Sequence, residues 1–509
     1  MTSTQPSTPS LTVLHLAGSS ETRFYFECSF LYAKAACRFA DKGVKNYYAM
    51  SLPPAAACPG AGRFALLEDE VPSELLGTDL MDLNYMKSPE LAKKVTLLSK
   101  DEFIGALRGE SIYKFAHAIQ LVVPHMYDNV GLTTWRTFMS DTLHLPVVGP
   151  PGSANVLAQD KAACRGVLKK LVMATAGGKK RHIVPSGFVV TRQKLVNADG
   201  CVSDAVATQL MARVRAEAGG FPVMLKAPLE DNSRGVRLLG RQCLPGQSAL
   251  EPSAALDANL AKELKAKVLE MLSYGDTVLF EQFVPGREFR FGVVELQHPR
   301  GLDAYRHSAA AQTTVDVGTN AAQVHGIPTM LEYLMVNPSM PIRTAADKLT
   351  TDTRGQMAQT KCSRRLVSCD PRVHAKADPQ TGEFESNVDS NGVDQTVYPV
   401  SDKLQRRIEA MVRAAHKALG CRSYSLFDIR VDALSGQPFI IECCAFWSFS
   451  PISILTLMLE SSGIDYKRVI LDLWREHALS TTAARERMCL PSKASQPSPP
   501  AEIPMVVGK

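Results

Sequence analysis

Two carboxylates near the carboxyl-terminal end of the chain stand where a β-hairpin would bring them together. Residues 426–432 and 438–442 are apolar runs of strand type, and a short turn around Gly436 separates them. In such a hairpin Asp428 faces Glu442, so two negative charges share one face. They repel each other unless a cation lies between them. Magnesium would suit this position, because it binds one or two carboxylates and completes its shell with water and phosphate oxygens. The alternative is a hairpin whose charges face water.

A lysine at the end of an apolar strand is the second chemical signal. Residues 221–226 end in Lys226 and lead into a loop of small residues that includes Asn232 and Ser233. A lysine in this position can neutralise a nucleotide phosphate while loop N–H groups approach the phosphate oxygens. The segment is therefore interpreted as a phosphate-binding loop without Walker spacing. A plain hairpin whose lysine extends to solvent remains the alternative.

The third signal is the segment VLFEQFVPGRE at residues 278–288, which has a carboxylate on each side of an apolar stretch. An adenine ring needs backbone donors and acceptors, and a ribose needs a carboxylate that accepts its hydroxyl protons. Glu281 and Glu288 can supply the carboxylates. The backbone at Phe283 and Val284 can supply the hinge.

The order of these three segments resembles that of the ATP-grasp fold, and more closely that of its D-alanine–D-alanine ligase branch. The resemblance runs from about residue 145 to 475 and is weaker over the first part of the chain. It implies an α/β fold that is α+β in its ATP-grasp part. A parallel-sheet domain at the amino terminus would precede an ATP-grasp domain of two subdomains.

The resemblance also implies site residues. The nucleotide-binding set is Lys161, Lys226, Asn232, Ser233, Glu281, Phe283, Val284 and Glu288. The metal-binding set is Asp428, Glu442 and, at the position of the family's third ligand, Cys444. The catalytic set is Lys226, Arg430, Glu21 and His125. In this set Glu21 resembles the carboxylate that holds a substrate amine, and His125 resembles the first residue of the family's His-Gly motif.

Several positions depart from the family's pattern. Cys444 stands where the family has an asparagine, and a neutral thiol is a poor magnesium ligand. Leu426 stands where the family has an arginine that steadies the phosphoryl group, and Arg430 or Arg234 could substitute for it. Residues 445–451 replace the family's Pro-Gly loop, which predicts an altered pocket for the second substrate.

The resemblance implies an ATP-dependent carboxylate–amine ligase of the dipeptide type, which forms an amide through an acyl phosphate. ATP and one or two Mg²⁺ ions, with Mn²⁺ as a substitute, are the expected cofactors. Small molecules, expected to be amino acids, are the substrates. Two alternatives stay open: an ATP-binding protein that has lost turnover, and an ATP-grasp enzyme whose substrate is not an amino acid.

Composition limits the other function classes. The chain has 509 residues, and its 57 Lys and Arg against 51 Asp and Glu give no field strong enough to indicate nucleic-acid binding. The 12 cysteines show no CxxC pair, so neither a zinc site nor a disulfide framework is predicted. The amino terminus lacks an apolar signal segment, and the longest apolar run is interrupted by serines and a proline. We therefore expect a cytoplasmic protein without membrane partners, and a homodimer stays open.

The elements that must position these residues alternate between strand and helix. Residues 11–150 are predicted to form the amino-terminal α/β domain, and residues 151–480 the ATP-grasp domain. Within the latter we predict a nucleotide lid at about 185–285, a loop-rich insertion at about 301–400, a metal-site subdomain at about 402–475, and one helix across 155–173. The Ser- and Pro-rich ends, 1–10 and 490–509, are predicted to be disordered tails.

Overall fold

A computed structural model of the chain describes residues 11–19, 25–26, 29, 32–33, 44–52, 63–68, 95–108, 119–174, 180–230, 233–243, 254–307, 321–334, 342, 350–351, 357–358, 364–376, 395–447 and 453–489. The predicted tails at 1–10 and 490–509 lie outside these ranges, as do the predicted site residues Glu21 and Asn232.

The first sheet is built around a buried parallel strand. Its strands are Leu11–Gly18 (β1), Val44–Leu52 (β2), Arg63–Glu68 (β3), Val95–Ser99 (β4) and Leu121–Pro124 (β5). The order is β4–β3–β2–β1–β5, with β1 parallel to both β2 and β5, and with β3 and β4 added in antiparallel pairs. β1 is buried throughout because Val13 faces one apolar core while Leu14 faces another. Strands covered on both faces are typical of parallel sheets.

The helices between β4 and the second sheet lead from the first sheet into the site region. They are Lys100–Leu107 (α1), two π-helical segments at Gly131–Trp135 and Phe138–Thr142, then Gly152–Gln159 (α2) and Lys161–Leu168 (α3). The prediction of a single helix across 155–173 is wrong, because the chain breaks at Asp160. The Asp160 carboxylate accepts hydrogen bonds from the N–H groups of Ala162 and Ala163, so it starts a second helix. This cap places Lys161 in the first turn of α3.

The second sheet is antiparallel, in the order β10–β9–β11–β8. A two-stranded ribbon, Val172–Ala174 (β6) and Lys180–His182 (β7), precedes its strands Gly187–Thr191 (β8), Val223–Lys226 (β9), Val236–Leu239 (β10) and Thr277–Gln282 (β11). The helices of this part are Arg192–Leu195 (α4), Asp204–Glu217 (α5) and Ala254–Leu272 (α6). They bury one face of the sheet, where Phe188 and Phe280 stack with ring centroids 4.9 Å apart.

The third sheet has the order β18–β17–β14–β12–β19–β20, with β13 also paired to β12. Its strands are Gly286–Leu296 (β12), Gln323–Gly326 (β13), Thr329–Tyr333 (β14), Arg364–Ser368 (β17), Val397–Pro399 (β18), Tyr424–Asp432 (β19) and Pro438–Cys444 (β20), with the separate ribbon Thr350–Thr351 (β15) and Met357–Ala358 (β16). Short 3-10 helices occupy Arg241–Cys243, Gly301–Tyr305 and Pro371–Val373, and the last α-helices are Asp402–Ala418 (α7), Ile454–Ser461 (α8) and Tyr466–Cys489 (α9). No helix among the described residues has the length and apolar content needed to cross a bilayer.

The region expected to be loop-rich, 301–400, differs from that expectation where it is described. Strands β13, β14, β17 and β18 lie in it and extend the third sheet. Their polar composition hides them from sequence reading, because pairing with neighbouring strands stabilises them more than an apolar pattern of their own. The division of the chain into domains stays a prediction.

Helix α9 packs against both the first and the third sheet. Its Trp474 is 1% exposed, lies in an apolar core shared with β1, β5 and β12, and meets the His15 ring edge-on at 5.6 Å between centroids.

We predict that Trp474→Ala destabilises the protein by about 3–5 kcal/mol, because a large cavity replaces the indole. Thermal unfolding followed by circular dichroism measures this. Leu434→Ala, at a side chain 94% exposed, is the control and should change little. Equal effects of the two variants would contradict the shared core.

Candidate active site

A pocket lies between the second and third sheets, where the chain passes from β11 into β12. Most of the predicted binding residues line it. The lining residues are Lys161, Met224, Lys226, Ser233, Val236, Glu281, Gln282, Phe283, Val284, Glu288, Ile342, Asp428, Arg430, Ile441 and Glu442. The pocket is therefore rich in charged groups, and these groups form cation–carboxylate pairs.

Lys226 and Glu281 form a buried ion pair on the second sheet. Lys226 ends β9 and Glu281 lies on the neighbouring β11, and both residues are less than 5% exposed. The Lys226 ammonium donates a hydrogen bond to the Glu281 carboxylate. Arg165 of α3 lies on the other side of that carboxylate, with its Nε 3.8 Å from Glu281 Oε1. Burial lowers the pKa of Arg165, and the Glu281 carboxylate opposes this change.

Lys161 connects the third sheet to the loop after β9. Its Nζ lies 3.0 Å from Glu442 Oε1 and also donates a hydrogen bond to the carbonyl oxygen of Glu230. The start of α3 holds this lysine in place, as described above. Both predicted phosphate-binding lysines therefore face one pocket, and each is paired with a carboxylate.

Arg290 is a site residue that the sequence analysis missed. It lies on β12 directly opposite Asp428 on β19, and its Nη2 donates a hydrogen bond of 2.8 Å to Asp428 Oδ2 while its Nε donates to Oδ1. Burial alone would lower the pKa of Arg290, but the Asp428 carboxylate raises it well above its usual value. A strand alternation signal was present, since Arg290 stands two positions after Glu288 and therefore faces the same side. The guanidinium also lies over the Trp447 ring, 5.4 Å from its centroid.

Arg430 and Glu288 form a further cation–carboxylate pair, and both residues line the pocket. They are also opposite each other in the β12–β19 register, with Arg430 Nη1 3.6 Å from Glu288 Oε2. Arg430 Nη2 donates to the carbonyl oxygen of Gly286 at 3.1 Å, and the guanidinium lies 5.3 Å from the centroid of the Phe283 ring. These contacts hold Arg430 against the segment predicted to be the hinge.

The donor set of the third sheet fits a magnesium ion. Asp428 and Glu442 are opposite each other in the β19–β20 register, and both line the pocket. Over the described part of the chain, no group of three or more acidic, histidine or cysteine side chains is arranged to hold a metal. Two hard carboxylates that leave the remaining positions to water and phosphate suit magnesium. Cys444 lies at the end of β20 opposite Leu426 and is not among the lining residues.

His125 lies outside the pocket lining. It follows β5 and is 3% exposed, and its Nε2 is 2.9 Å from Nδ1 of His15. Burial, together with the nearby His15 and Arg136, lowers the pKa of His125 well below its usual value, so its imidazole is neutral. Arg234, the other candidate for the missing arginine, is 62% exposed in its side chain and pairs with Glu230 at 3.4 Å.

The chain is similar in sequence to D-alanine–D-alanine ligases. It is 27% identical to that of Albidiferax ferrireducens over 95 residues, which are 18% of this chain and 28% of that protein. It is 21% identical to that of Desulforudis audaxviator over 337 residues, which are 66% of this chain and 74% of that protein. The first match, like that to the Polynucleobacter asymbioticus ligase, spans just over a quarter of the relative's length. No protein-family model matches the chain.

Solved structures of the same kind share the fold. The D-alanine–D-alanine ligase of Coxiella burnetii is 14% identical with a TM-score of 0.54, and the match covers 94% of this chain and 97% of that one. The VanG D-Ala:D-Ser ligase of Enterococcus faecalis is 14% identical with a TM-score of 0.55, covering 92% and 99%. This chain therefore has the ATP-grasp fold of these ligases, and the fold expected from the motif order is confirmed.

We predict that Arg290→Gln destabilises the protein by about 3–5 kcal/mol, because it leaves the buried Asp428 carboxylate without its counter-ion. Adding Asp428→Asn removes that charge, so the double variant should regain part of the loss. Thermal unfolding of the two single variants and the double variant measures the coupling.

The exposed pair of Arg213 and Glu217, whose atoms are 2.7 Å apart, is the matched control for this cycle. Its coupling should be no more than about 0.5 kcal/mol. Purely additive losses for Arg290 and Asp428 would contradict a direct charge pair.

Proposed function

We propose that this protein is an ATP-dependent ligase that joins the carboxylate of one small molecule to the amine of another and releases ADP and phosphate. The observation that carries the proposal is the pocket between the second and third sheets. Three basic side chains and four carboxylates line it on the fold of known ligases, and Arg290 pairs with one of those carboxylates. Such a pocket offers cations for a polyphosphate and carboxylates for its metal ion.

The ion pairs neutralise the two lysines when no nucleotide is bound, and they would leave the lysines able to bind one. Lys161 rests against Glu442, and Lys226 rests against Glu281. Triphosphate oxygens would replace these carboxylates as partners of the two lysines. A buried cation without a counter-ion is costly, so exchange of one anion for another keeps both lysines paired throughout.

The same exchange prepares the metal site. Once Lys161 turns to a phosphate, Glu442 is available together with Asp428 to hold Mg²⁺, and Mn²⁺ has similar ligand preferences. Bound magnesium would supply positive charge that neutralises the phosphates. A second ion is not part of the proposal, because Cys444 lies away from the pocket lining.

The proposed reaction has two balanced steps. A carboxylate oxygen of the first substrate attacks the γ-phosphorus of ATP, the bond from that phosphorus to the ADP oxygen breaks, and an acyl phosphate forms. The amine of the second substrate then attacks the acyl carbon, phosphate leaves with the electrons of the C–O bond, and the amine nitrogen loses a proton. Lys161, Lys226 and Arg290 would stabilise negative charge on the phosphoryl group. Losing one such preorganised group commonly costs about 3 kcal/mol.

The substrates are proposed to be amino acids. The related proteins are named for D-alanine and D-serine, which makes these two the first compounds to test. In this chain Phe446 and Trp447 follow β20, where the family pattern has a Pro-Gly loop. Large rings at that position favour a second substrate other than D-alanine.

We predict that ADP and phosphate are released from MgATP when the correct pair of amino acids is present. The panel should combine D-alanine, D-serine and L-amino acids as donors and acceptors, with coupled detection of ADP and of phosphate. Glu442→Ala should lower the rate about a hundredfold, whereas Glu217→Ala, at a side chain 45% exposed on α5, should not. If no pair of amino acids causes release of ADP and phosphate while MgATP still binds, the result would favour an ATP-binding protein without turnover or a substrate outside the amino acids.

We further predict that Glu442→Gln raises the magnesium concentration needed for half-maximal rate by about tenfold, because one charged ligand is lost. Lys161→Met should instead raise the KM for ATP and leave the magnesium requirement unchanged. Rates measured over a series of magnesium concentrations at saturating ATP, and over a series of ATP concentrations at saturating magnesium, separate the two effects. An unchanged magnesium requirement in Glu442→Gln would remove this residue from the metal site.

A further inference from the structure

A second cavity lies beside the first sheet and shares none of its described lining residues with the pocket between the second and third sheets. Its volume is about 310 Å³, several times the roughly 30 Å³ that one water molecule occupies. Its lining residues are Arg136, Ser140, His144, Leu145, Pro146, Val147, Gly149, Pro151, Arg422 and His477. No part of the proposed ligase reaction uses it.

Arg136 is the unusual group in this cavity. It is 1% exposed, and its Nη1 donates to the carbonyl oxygens of Val148 and Pro150, each at 3.0 Å. Its Nε and Nη2 are buried without a hydrogen-bond partner. The groups near it are the Tyr424 hydroxyl and the Phe446 ring, 5.5 Å from the guanidinium carbon, and no described carboxylate pairs with it.

A buried guanidinium that meets the Tyr424 hydroxyl, but has two donors without acceptors and no carboxylate partner among the described residues, is costly to maintain. Burial lowers the pKa of Arg136, although the Tyr424 hydroxyl opposes this change. Arginine nevertheless stays protonated in proteins, so the positive charge remains. An anion in the adjoining cavity would supply the missing charge.

The other lining residues of the cavity indicate which kind of anion would fit it. Arg422 has a side chain 67% exposed, with its Nη1 3.5 Å from Glu295 Oε1, so it can turn toward a ligand at the mouth. Burial lowers the pKa of His477 to about 4, so this imidazole adds a polar surface without charge. Leu145, Pro146 and Val147 form an apolar side. Two guanidinium groups beside an apolar wall suit an oxyanion attached to a small apolar body.

We propose that this cavity binds a small organic oxyanion, a carboxylate or a phosphate ester, with Arg136 and Arg422 as its cationic partners. The proposal does not rest on the proposed ligase function, because it concerns separate residues. Gly149 makes the arrangement sterically feasible. A Cβ there would lie 2.9 Å from Arg136 Nη1 and 2.7 Å from the Tyr424 hydroxyl, and its φ of 95° also favours glycine.

Calorimetric titration of the full chain with benzoate, phenyl phosphate, inorganic phosphate and benzyl alcohol tests the proposal. Benzoate or phenyl phosphate should bind with a Kd of about 1 mM or tighter. Inorganic phosphate should bind more weakly, and the uncharged benzyl alcohol should not bind. Arg422→Gln and Arg136→Gln should each raise the Kd at least about tenfold. If Arg136→Gln fails to fold, the Kd of the Arg422→Gln variant, at an exposed side chain, tests the proposal.

Two control variants locate the binding. Lys226→Ala should keep it, which separates this cavity from the proposed nucleotide pocket. Arg213→Gln, which also breaks an exposed Arg–Glu pair, should keep it too. Absence of binding by both organic anions would overturn the proposal, as would binding that Arg422→Gln leaves unchanged or that Lys226→Ala abolishes. Failure of the ligase assay would leave this result unaffected.

Discussion

The antiparallel pairing of β12 with β19 is the constraint on which the candidate active site depends. Its register sets Glu288 opposite Arg430 and Arg290 opposite Asp428. Because side chains alternate along a strand, these four groups share one face of the sheet, and Glu288, Asp428 and Arg430 line the pocket. Intervening residues such as Phe289 face an apolar core. A slip of one residue would exchange the two faces and bury four charges among apolar side chains. The core therefore enforces the register that assembles the site.

Charge balance explains both the stability of the pocket and its chemistry. Each buried cation there has a carboxylate partner, and such pairs contribute little net stability but are costly to break. The proposed binding of a polyphosphate would require these pairs to exchange one anion for another. Arg136 shows the contrasting case, a buried cation near the second cavity without a described carboxylate. The same physical rule thus accounts for the paired site and motivates the proposed anion site.

The part of the chain before α2 departs most from the family resemblance. His125 was predicted to act in catalysis, yet it shares a hydrogen bond with His15 in the interior. Burial lowers the pKa of His15 to about 4, and the His125 ring is likewise neutral. The His15 ring contacts Tyr48, His125 and Trp474, so this neutral pair is suited to holding the first sheet against α9. The catalytic role of His125 stays a prediction, and this geometry gives it no support.

Local pattern was enough to find the strand that ends in Lys226, the segment predicted to be the hinge, and the Asp428–Glu442 hairpin. Alternation and short turns depend only on residues close in the chain, so they can be read without a structure. Alternation sets Arg290 on the same face as Glu288, but its partner Asp428 could not be identified in this way, since it is 138 positions away. The cavity lined by Arg136 and Arg422 likewise forms only when the first sheet packs against the third. Burial and charge pairing across such distances are properties of the packed chain, because they depend on which segments exclude water from one another.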